Sequence, residues 1–164
     1  MADAPILKHL NDLIAHAISP GDTVKLVPLT GPSDGSPTSA FFEIWEPRGV
    51  QPANSHPDSV EIFIILNGEG EAVSDEHTVS IKSGDVLILP SGSVHHIRNT
   101  SETERLYAVT IMANDMGSMK KGFEDLVTSG RTVDFEEPDK AAIFVGLAPI
   151  GKVVADPLHG QRHV

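Results

Sequence analysis

Between Ser39 and Met112 the chain repeats one pattern, a short apolar run followed by Gly, Pro, Asn, Ser or Asp. Runs of this length that are rich in branched and aromatic residues and bounded by turn-forming residues are typical of β-strands. The 14 glycines and 12 prolines of the chain also favour many turns over long helices. The pattern predicts an all-β fold with seven strands: Phe41–Trp45, Glu61–Leu66, Gly70–Val73, His77–Ile81, Val86–Leu89, Val94–Arg98 and Leu106–Met112.

The strand that begins at Glu61 is apolar on both faces. Ile62, Ile64 and Leu66 alternate with Phe63 and Ile65, and alternate residues of a strand point to opposite sides of a sheet. A strand that is buried on both sides implies an inner face that lines a barrel and an outer face that is covered. The cover is either the terminal helices or a second subunit, and we predict a homodimer.

The length of 164 residues predicts a single domain that spans the chain, with its core barrel at about residues 39–112. Residues Ala4 to Ile18 have apolar positions near helical spacing and predict a short N-terminal helix. The C-terminal extension, residues 114–164, is predicted to contain a short helix at Met119–Val127. It is also predicted to contain extended apolar pieces such as Ala142–Val145.

The composition narrows the possible partners. Lys and Arg number 12 against 23 Asp and Glu, for a formal net charge of -11, so binding to nucleic acid or to an anionic membrane is disfavoured. The chain has no cysteine, which removes disulfides, thiolate metal ligands and cysteine nucleophiles. The first 20 residues lack the pattern of a signal peptide, and no stretch is long enough to span a bilayer. We therefore expect a cytoplasmic protein.

A first group of candidate metal ligands precedes the strand that begins at Glu61. Asn54 and His56 are two residues apart, so on an extended chain they face the same side. Glu61 shares a face with Phe63 and Ile65, and a carboxylate that is buried there needs a cation or a metal. That face of the strand carries no Lys or Arg, which favours the metal.

A second group lies between Gly84 and Asn99, where two predicted strands flank a Pro-x-Gly turn. His95 begins the second strand and shares a face with Ile97 and Asn99. If the barrel brings His95 together with His56 and Glu61, two imidazoles and one carboxylate surround a divalent ion and leave open positions. Such a set suits oxygen chemistry at non-haem iron and also Lewis-acid chemistry on an anionic chelating substrate.

At these residues the sequence resembles the cupin superfamily over about residues 40–112. The second group matches that superfamily's second motif at every position: Gly84, Pro90, Gly92, His95 and Asn99. The first group matches the first motif at His56, Glu61 and Gly68, with Gly49 one residue closer to the ligands than usual. The resemblance implies a jelly-roll barrel and one divalent metal ion, which is iron, manganese, nickel or zinc.

One position departs from the cupin pattern, because Asn54 stands where the family usually has a third histidine. Asn54 either donates a weak carbonyl oxygen to the metal or hydrogen-bonds a metal-bound water. In both cases we expect weaker metal retention than in a four-ligand site, since imidazole suits these metals better than an amide does. Trp45, Phe63 and Tyr107 are the candidate substrate-pocket residues.

The resemblance implies a metal-dependent enzyme that acts on a small molecule, foremost an oxidoreductase of the dioxygenase type. An isomerase or a lyase is the alternative within the enzyme class. The competing class is a non-catalytic cupin that binds a small ligand, and the exchange of histidine for Asn54 favours it. The sequence names no catalytic base, no substrate and no specific metal.

Overall fold

The structure is a computed structural model that describes residues 4–17, 21–113 and 130–147. Within these ranges it contains ten strands, two short 3₁₀ turns and one α-helix. Strands β1 to β10 are, in chain order, Ala15–Ala17, Val24–Thr30, Thr38–Trp45, Glu61–Asn67, Glu69–Ser74, His77–Lys82, Val86–Leu89, His95–Asn99, Leu106–Ala113 and Arg131–Val133. The 3₁₀ turns are Leu10–Asp12 and Pro32–Asp34, and helix α1 is formed by residues 137–147.

The strands form two antiparallel sheets that face each other. The larger sheet has the order β10-β1-β2-β3-β9-β4-β7, and the smaller has the order β6-β5-β8. Residues 50–54 run beside β8 through isolated bridges from Val50 to Arg98 and from Asn54 to His95, which extends the smaller sheet. The fold is therefore mostly β and arranged as in a jelly roll, but within the described residues the two sheets do not close into the continuous barrel that the sequence predicts.

The space between the sheets, here called the interior, contains one hydrophobic cluster. Trp45, Phe63, Ile97 and Leu106 are fully buried there. Burial of each such side chain contributes about 1.5–3 kcal/mol, so the core does not depend on a metal. A second cluster lies on the outer face of the larger sheet, where Ile143 of α1 packs among residues that include Val27, Phe42, Ile44, Leu66 and Tyr107.

All seven predicted strands are confirmed, with ends that differ by no more than three residues. Strands β1, β2 and β10 are additional to the prediction. Strand β2 contains Pro28, and β1 and β10 have only three residues each, so the local pattern of none of them is a strong strand signal. They form because each pairs with a neighbouring strand at one edge of the larger sheet: β2 pairs with β3, β1 pairs with β2, and β10 pairs with β1.

The predicted N-terminal helix at residues 4–18 is wrong. In its described part, residues 4–17, the segment contains only the single 3₁₀ turn before β1. Ala15 and Ala17 are buried while His16 is partly exposed, an alternation with a period of two. Pairing of His16 with Leu26 in β2 and with Thr132 in β10 outweighs the weak helical periodicity.

The prediction of an extended piece at Ala142–Val145 is also wrong, because these residues lie within α1. A helix signal is present in the sequence just before them: Pro138 and the acidic Asp139 occupy the first turn, where proline and negative charge favour a helix start. The helix predicted at Met119–Val127 falls outside the described residues. No helix in the described ranges is both long and apolar enough to cross a membrane.

Candidate metal centre

A turn between β7 and β8 sets the orientation of His95. Gly92 has a φ of +80°, which a residue with a side chain rarely adopts, and the Ser93 hydroxyl donates to the Pro90 carbonyl at 2.8 Å. The Ser93 carbonyl oxygen then lies 3.0 Å from His95 Nδ1. Because a carbonyl can only accept a hydrogen bond, Nδ1 is the donor and Nε2 is the nitrogen that points into the interior.

Glu61 is the first residue of β4, and none of its side chain is exposed. Its Oε2 atom lies 2.8 Å from His95 Nε2 and 3.7 Å from His56 Nε2. Its Oε1 atom is buried and has no hydrogen-bond partner among the described residues. Within the same ranges, no lysine or arginine forms an ion pair with this carboxylate.

The contact between Glu61 and His95 places two lone pairs against each other. With the proton on Nδ1, both His95 Nε2 and Glu61 Oε2 are acceptors, and at 2.8 Å they repel unless a proton or a cation lies between them. Two ligands at right angles on one metal ion, each about 2.1 Å from it, are about 3 Å apart. The distance and the donor types therefore fit a shared divalent ion.

His56 completes the group from the loop before β4. Its carbonyl accepts a hydrogen bond from the Gly92 amide at 2.9 Å, which joins this loop to the turn that orients His95. The two imidazole centroids are 5.6 Å apart, and one ligand atom from each of His56, Glu61 and His95 lies within 4.8 Å of the others. Burial lowers the pKa of His56, Glu61 opposes that shift, and His95 adds to it. The neutral imidazole is the form that binds metals.

Asn54 lies beside His95 in the extended smaller sheet. The two residues exchange backbone hydrogen bonds of 3.0 and 2.9 Å, so their side chains share one face. The Asn54 Oδ1 atom is buried and has no partner among the described residues. The structure thus brings Asn54 next to the group of three, with an oxygen available to a metal or to a water bound to it.

The three predicted pocket residues separate into two places. Trp45 and Phe63 lie in the interior with ring centroids 6.3 Å apart. Tyr107 lies in the outer cluster, where its hydroxyl donates to Asp139 at 3.0 Å, so it does not share a pocket with the other two. The strand β9 presents Tyr107 and Ala108 to opposite faces, and Tyr107 lines a separate groove of about 850 Å³.

The interior polar residues that the sequence-based prediction does not include are Glu43 on β3 and Thr110 on β9, among others. Both are buried, and both have a side-chain oxygen without a partner among the described residues. The signal for Glu43 is present, since it shares a strand face with Phe41 and Trp45 and is therefore expected to be buried. Burial raises the pKa of Glu43 well above its usual range, and the charges of Glu61 and Asp22 raise it further.

The other motif residues support the fold. Asn99 is buried, and its Nδ2 atom donates to the carbonyls of Glu46 at 3.0 Å and Glu104 at 2.7 Å, which fixes the loops at that end of the sheet. Gly68 has a φ of +90°, and a Cβ atom there would lie 2.7 Å from the Arg105 carbonyl oxygen. These positions explain why the motif requires an amide and a glycine without giving either a role in chemistry.

Comparison with known protein families agrees with this arrangement. The family described as the cupin domain matches residues 41–112, the segment that holds all three residues of the candidate centre. The chain therefore contains a cupin domain at residues 41–112. This confirms the resemblance drawn from the two motifs.

Two curated relatives indicate how wide this superfamily is. A germin-like protein from Morus alba is 34% identical over 76 residues, which are 43% of this chain and 36% of that protein. A 1-hydroxy-2-naphthoate 1,2-dioxygenase from Nocardioides is 30% identical over 76 residues, which are 44% of this chain and 20% of that protein. The matched segments are well under half of these relatives' own length.

Among solved structures, the fold is similar to that of a protein from Thermotoga maritima described as a predicted oxalate decarboxylase. The TM-score is 0.58 at 23% identity, and the match covers 66% of this chain and 98% of that one. The chain therefore shares the fold of that protein.

Proposed function

We propose that this chain is a metal-dependent cupin enzyme that acts on a small molecule, with one divalent ion held by His56, Glu61 and His95. The observation that carries the proposal is the contact of 2.8 Å between His95 Nε2 and Glu61 Oε2, two atoms that need a proton or a cation between them, with His56 Nε2 at 3.7 Å from the same oxygen. When bound, the metal would supply Lewis acidity and, for iron, reaction with dioxygen. The protein holds the ligands in place and excludes bulk water from the interior.

Within the enzyme class, we propose an oxidoreductase of the dioxygenase type. Two imidazoles and one carboxylate leave open positions on the metal for dioxygen and a substrate together. The curated dioxygenase from Nocardioides shows that a relative within the superfamily is named for this reaction. Isomerase or lyase chemistry at the same metal is the alternative, and it needs no dioxygen.

Metal analysis tests the centre. Protein purified without chelator is analysed by inductively coupled plasma mass spectrometry, and the expected result is about one iron, manganese, nickel or zinc per chain. Oxygen consumption is then recorded with a panel of catechols, aminophenols and β-diketones. Metal-dependent uptake supports a dioxygenase. Turnover of a substrate without uptake supports an isomerase or a lyase instead.

A non-catalytic cupin that binds a small ligand is the second candidate function. The observation that favours it is Asn54 beside His95, at the position where an additional histidine would strengthen the hold on a metal. Under this alternative, one of the tested compounds raises the melting temperature of the protein but is recovered unchanged. Consumption of that compound would decide for the enzyme.

We also propose that the chain forms a homodimer through the outer face of β4 and the edge strand β7. Val86 and Ile88 on β7 are 61% and 62% exposed, and both are paired with β4 beside the partly exposed Ile62 and Ile64. Contiguous apolar residues on an edge strand are commonly covered by a partner. Light scattering during size exclusion is expected to give twice the chain mass of 17.5 kDa, and a mass of 17.5 kDa alone would contradict the dimer.

A further inference from the structure

The interior contains more polar atoms without partners than a metal centre requires. Buried side-chain atoms that lack a hydrogen-bond partner among the described residues include Glu43 Oε2, Trp45 Nε1, Gln51 Oε1, Asn54 Oδ1, Glu61 Oε1 and Thr110 Oγ1. Buried polar groups are nearly always paired, and those that are not usually contact a water, an ion or a ligand. Asn54 and Glu61 belong to the centre described above. Glu43 and Thr110 do not.

The strand register places Glu43, Thr110 and Glu61 along one diagonal row of the inner face. On β9, Met112 is opposite Glu61, Thr110 is opposite both Phe63 and Phe41, and Ala108 is opposite Glu43. Thr110 therefore lies between the two glutamates along β9, and all three side chains are on the inner face. The row leads away from the metal centre into the interior.

The charged groups near Glu43 and Thr110 limit which ligands these two residues can bind. A divalent ion with one carboxylate ligand keeps a net positive charge and favours an anionic chelating group. No lysine or arginine in the described ranges is buried, so a second oxygen-bearing group of the ligand must be held by uncharged donors. Burial raises the pKa of Glu43, which favours its protonated form, and a protonated carboxyl donates an O–H, as the Thr110 hydroxyl does.

We propose that Glu43 and Thr110 form a second binding position in the interior, which hydrogen-bonds the far end of a ligand whose near end chelates the metal. The ligand class is a small organic acid with a chelating hydroxycarboxylate or similar group and a second carboxylate or carbonyl. This inference rests on the metal centre proposed above. It assigns to Glu43 a role in ligand specificity rather than in metal binding.

The test uses lactate and malate as probes, because both carry the same α-hydroxycarboxylate and only malate adds a second carboxylate. Isothermal titration calorimetry measures the affinity of each acid for the manganese-loaded full chain. The variants are Glu43→Leu, which removes the donor, Glu43→Gln, which keeps an N–H donor without an ionisable group, and Thr110→Val. Glu69→Gln, at an exposed position, is the matched control for the loss of one glutamate.

The wild type is expected to bind malate about tenfold more tightly than lactate, the effect of a hydrogen bond to a charged group. Glu43→Leu should bring this ratio near one without changing the lactate affinity or the manganese content. Glu43→Gln and the control should keep the ratio, and Thr110→Val should lower it in part. The isosteric Thr110 change serves as the test if Glu43→Leu does not fold.

Three results would overturn the inference. The first is an unchanged ratio in Glu43→Leu and Thr110→Val, and the second is malate binding that improves in Glu43→Gln, which would mean that Glu43 is ionised and repels the ligand. The third is a wild type that retains manganese but binds neither acid. Failure of the proposed metal centre looks different, since the wild type would then retain no manganese, and both proposals would fall together.

Discussion

Two acids of this protein, Asp139 on α1 and Glu61 on β4, are both fully buried but have opposite surroundings. Asp139 contacts Arg105 Nη1 at 2.7 Å and the Tyr107 hydroxyl at 3.0 Å, and Lys25 Nζ lies at 3.6 Å. Among the described residues, the Glu61 carboxylate contacts only two imidazoles, and one of its oxygens has no hydrogen-bond partner.

The comparison distinguishes a buried carboxylate that stabilises the fold from one that is a candidate metal ligand. A buried carboxylate is costly unless a cation or several donors compensate it, and Asp139 has both. Its contacts attach α1 to the outer face of the larger sheet. Its Oδ2 atom also lacks a hydrogen-bond partner among the described residues, but Arg105 and Lys25 balance the charge of the carboxylate without any ligand. No lysine or arginine among the described residues balances the negative charge of Glu61. This is expected of a carboxylate that binds a metal ion. Substitutions at and around the two acids can test this contrast.

The largest effect is expected at the metal ligands. His95→Ala and His56→Ala should each abolish stoichiometric metal, with a loss of affinity of more than about 100-fold, because a three-ligand site keeps little affinity with one ligand gone. The fold should persist, since the interior core is large without the metal. Metal analysis together with circular dichroism checks both points. Full metal content in either variant would remove that residue from the centre.

The second effect is on stability. Asp139→Ala should lower the free energy of unfolding by about 2–3 kcal/mol, because Arg105 and Tyr107 each lose a partner. Metal content should not change. Urea unfolding followed by fluorescence measures the first quantity, and metal analysis measures the second. A variant that loses its metal but keeps its stability would reverse the roles we assign to the two acids.

A smaller effect is expected at Asn54. Asn54→Ala should weaken metal binding by about tenfold or less, because an amide oxygen contributes less than imidazole or carboxylate. Asn54→His should tighten it by adding a fourth strong ligand beside His95. Competition with a chelator of known affinity gives both values. If Asn54→Ala is as damaging as His56→Ala, the amide is a principal ligand.

The smallest effect concerns the pH dependence of stability at Glu43. In the unfolded chain Glu43 releases its proton near its ordinary pKa of 4.5, whereas burial raises the pKa in the folded state. Above pH 4.5 the folded state therefore holds the extra proton, and wild-type stability falls as pH rises towards the raised pKa. Glu43→Gln lacks this loss, so its stability relative to wild type should increase with pH. Urea unfolding at several pH values measures the trend, and a parallel pH dependence would contradict it.

The sequence is sufficient for the part of the fold that is defined by local patterns. The seven strands β3 to β9 follow from alternation and turn residues, and the motif spacing alone indicates His56, Glu61 and His95 as candidate ligands. Each of these signals is contained in a short segment. The same is true of Asn54, whose position two residues before His56 already predicts a shared face, and one bridge places it beside His95.

The features that the sequence does not reveal depend on contacts between distant segments. Strand β1 exists because of its pairing with β2 and β10, which are separated from it by very different lengths of chain. Tyr107 lies on the outer face of β9, away from Trp45, and its hydrogen-bond partner Asp139 lies 32 residues further along the chain, on α1. The significance of Glu43 arises only when β3, β9 and β4 lie side by side.

The most direct test of the metal centre is the metal content of Glu61→Gln compared with wild type, both purified without chelator and analysed in the same way. Glutamine keeps the size of the side chain and removes the charge that an ion would balance. We predict about one divalent ion per wild-type chain and close to none in Glu61→Gln, with both proteins folded. Equal metal content in the two proteins, or none in either, would contradict the assignment of His56, Glu61 and His95 as a metal centre.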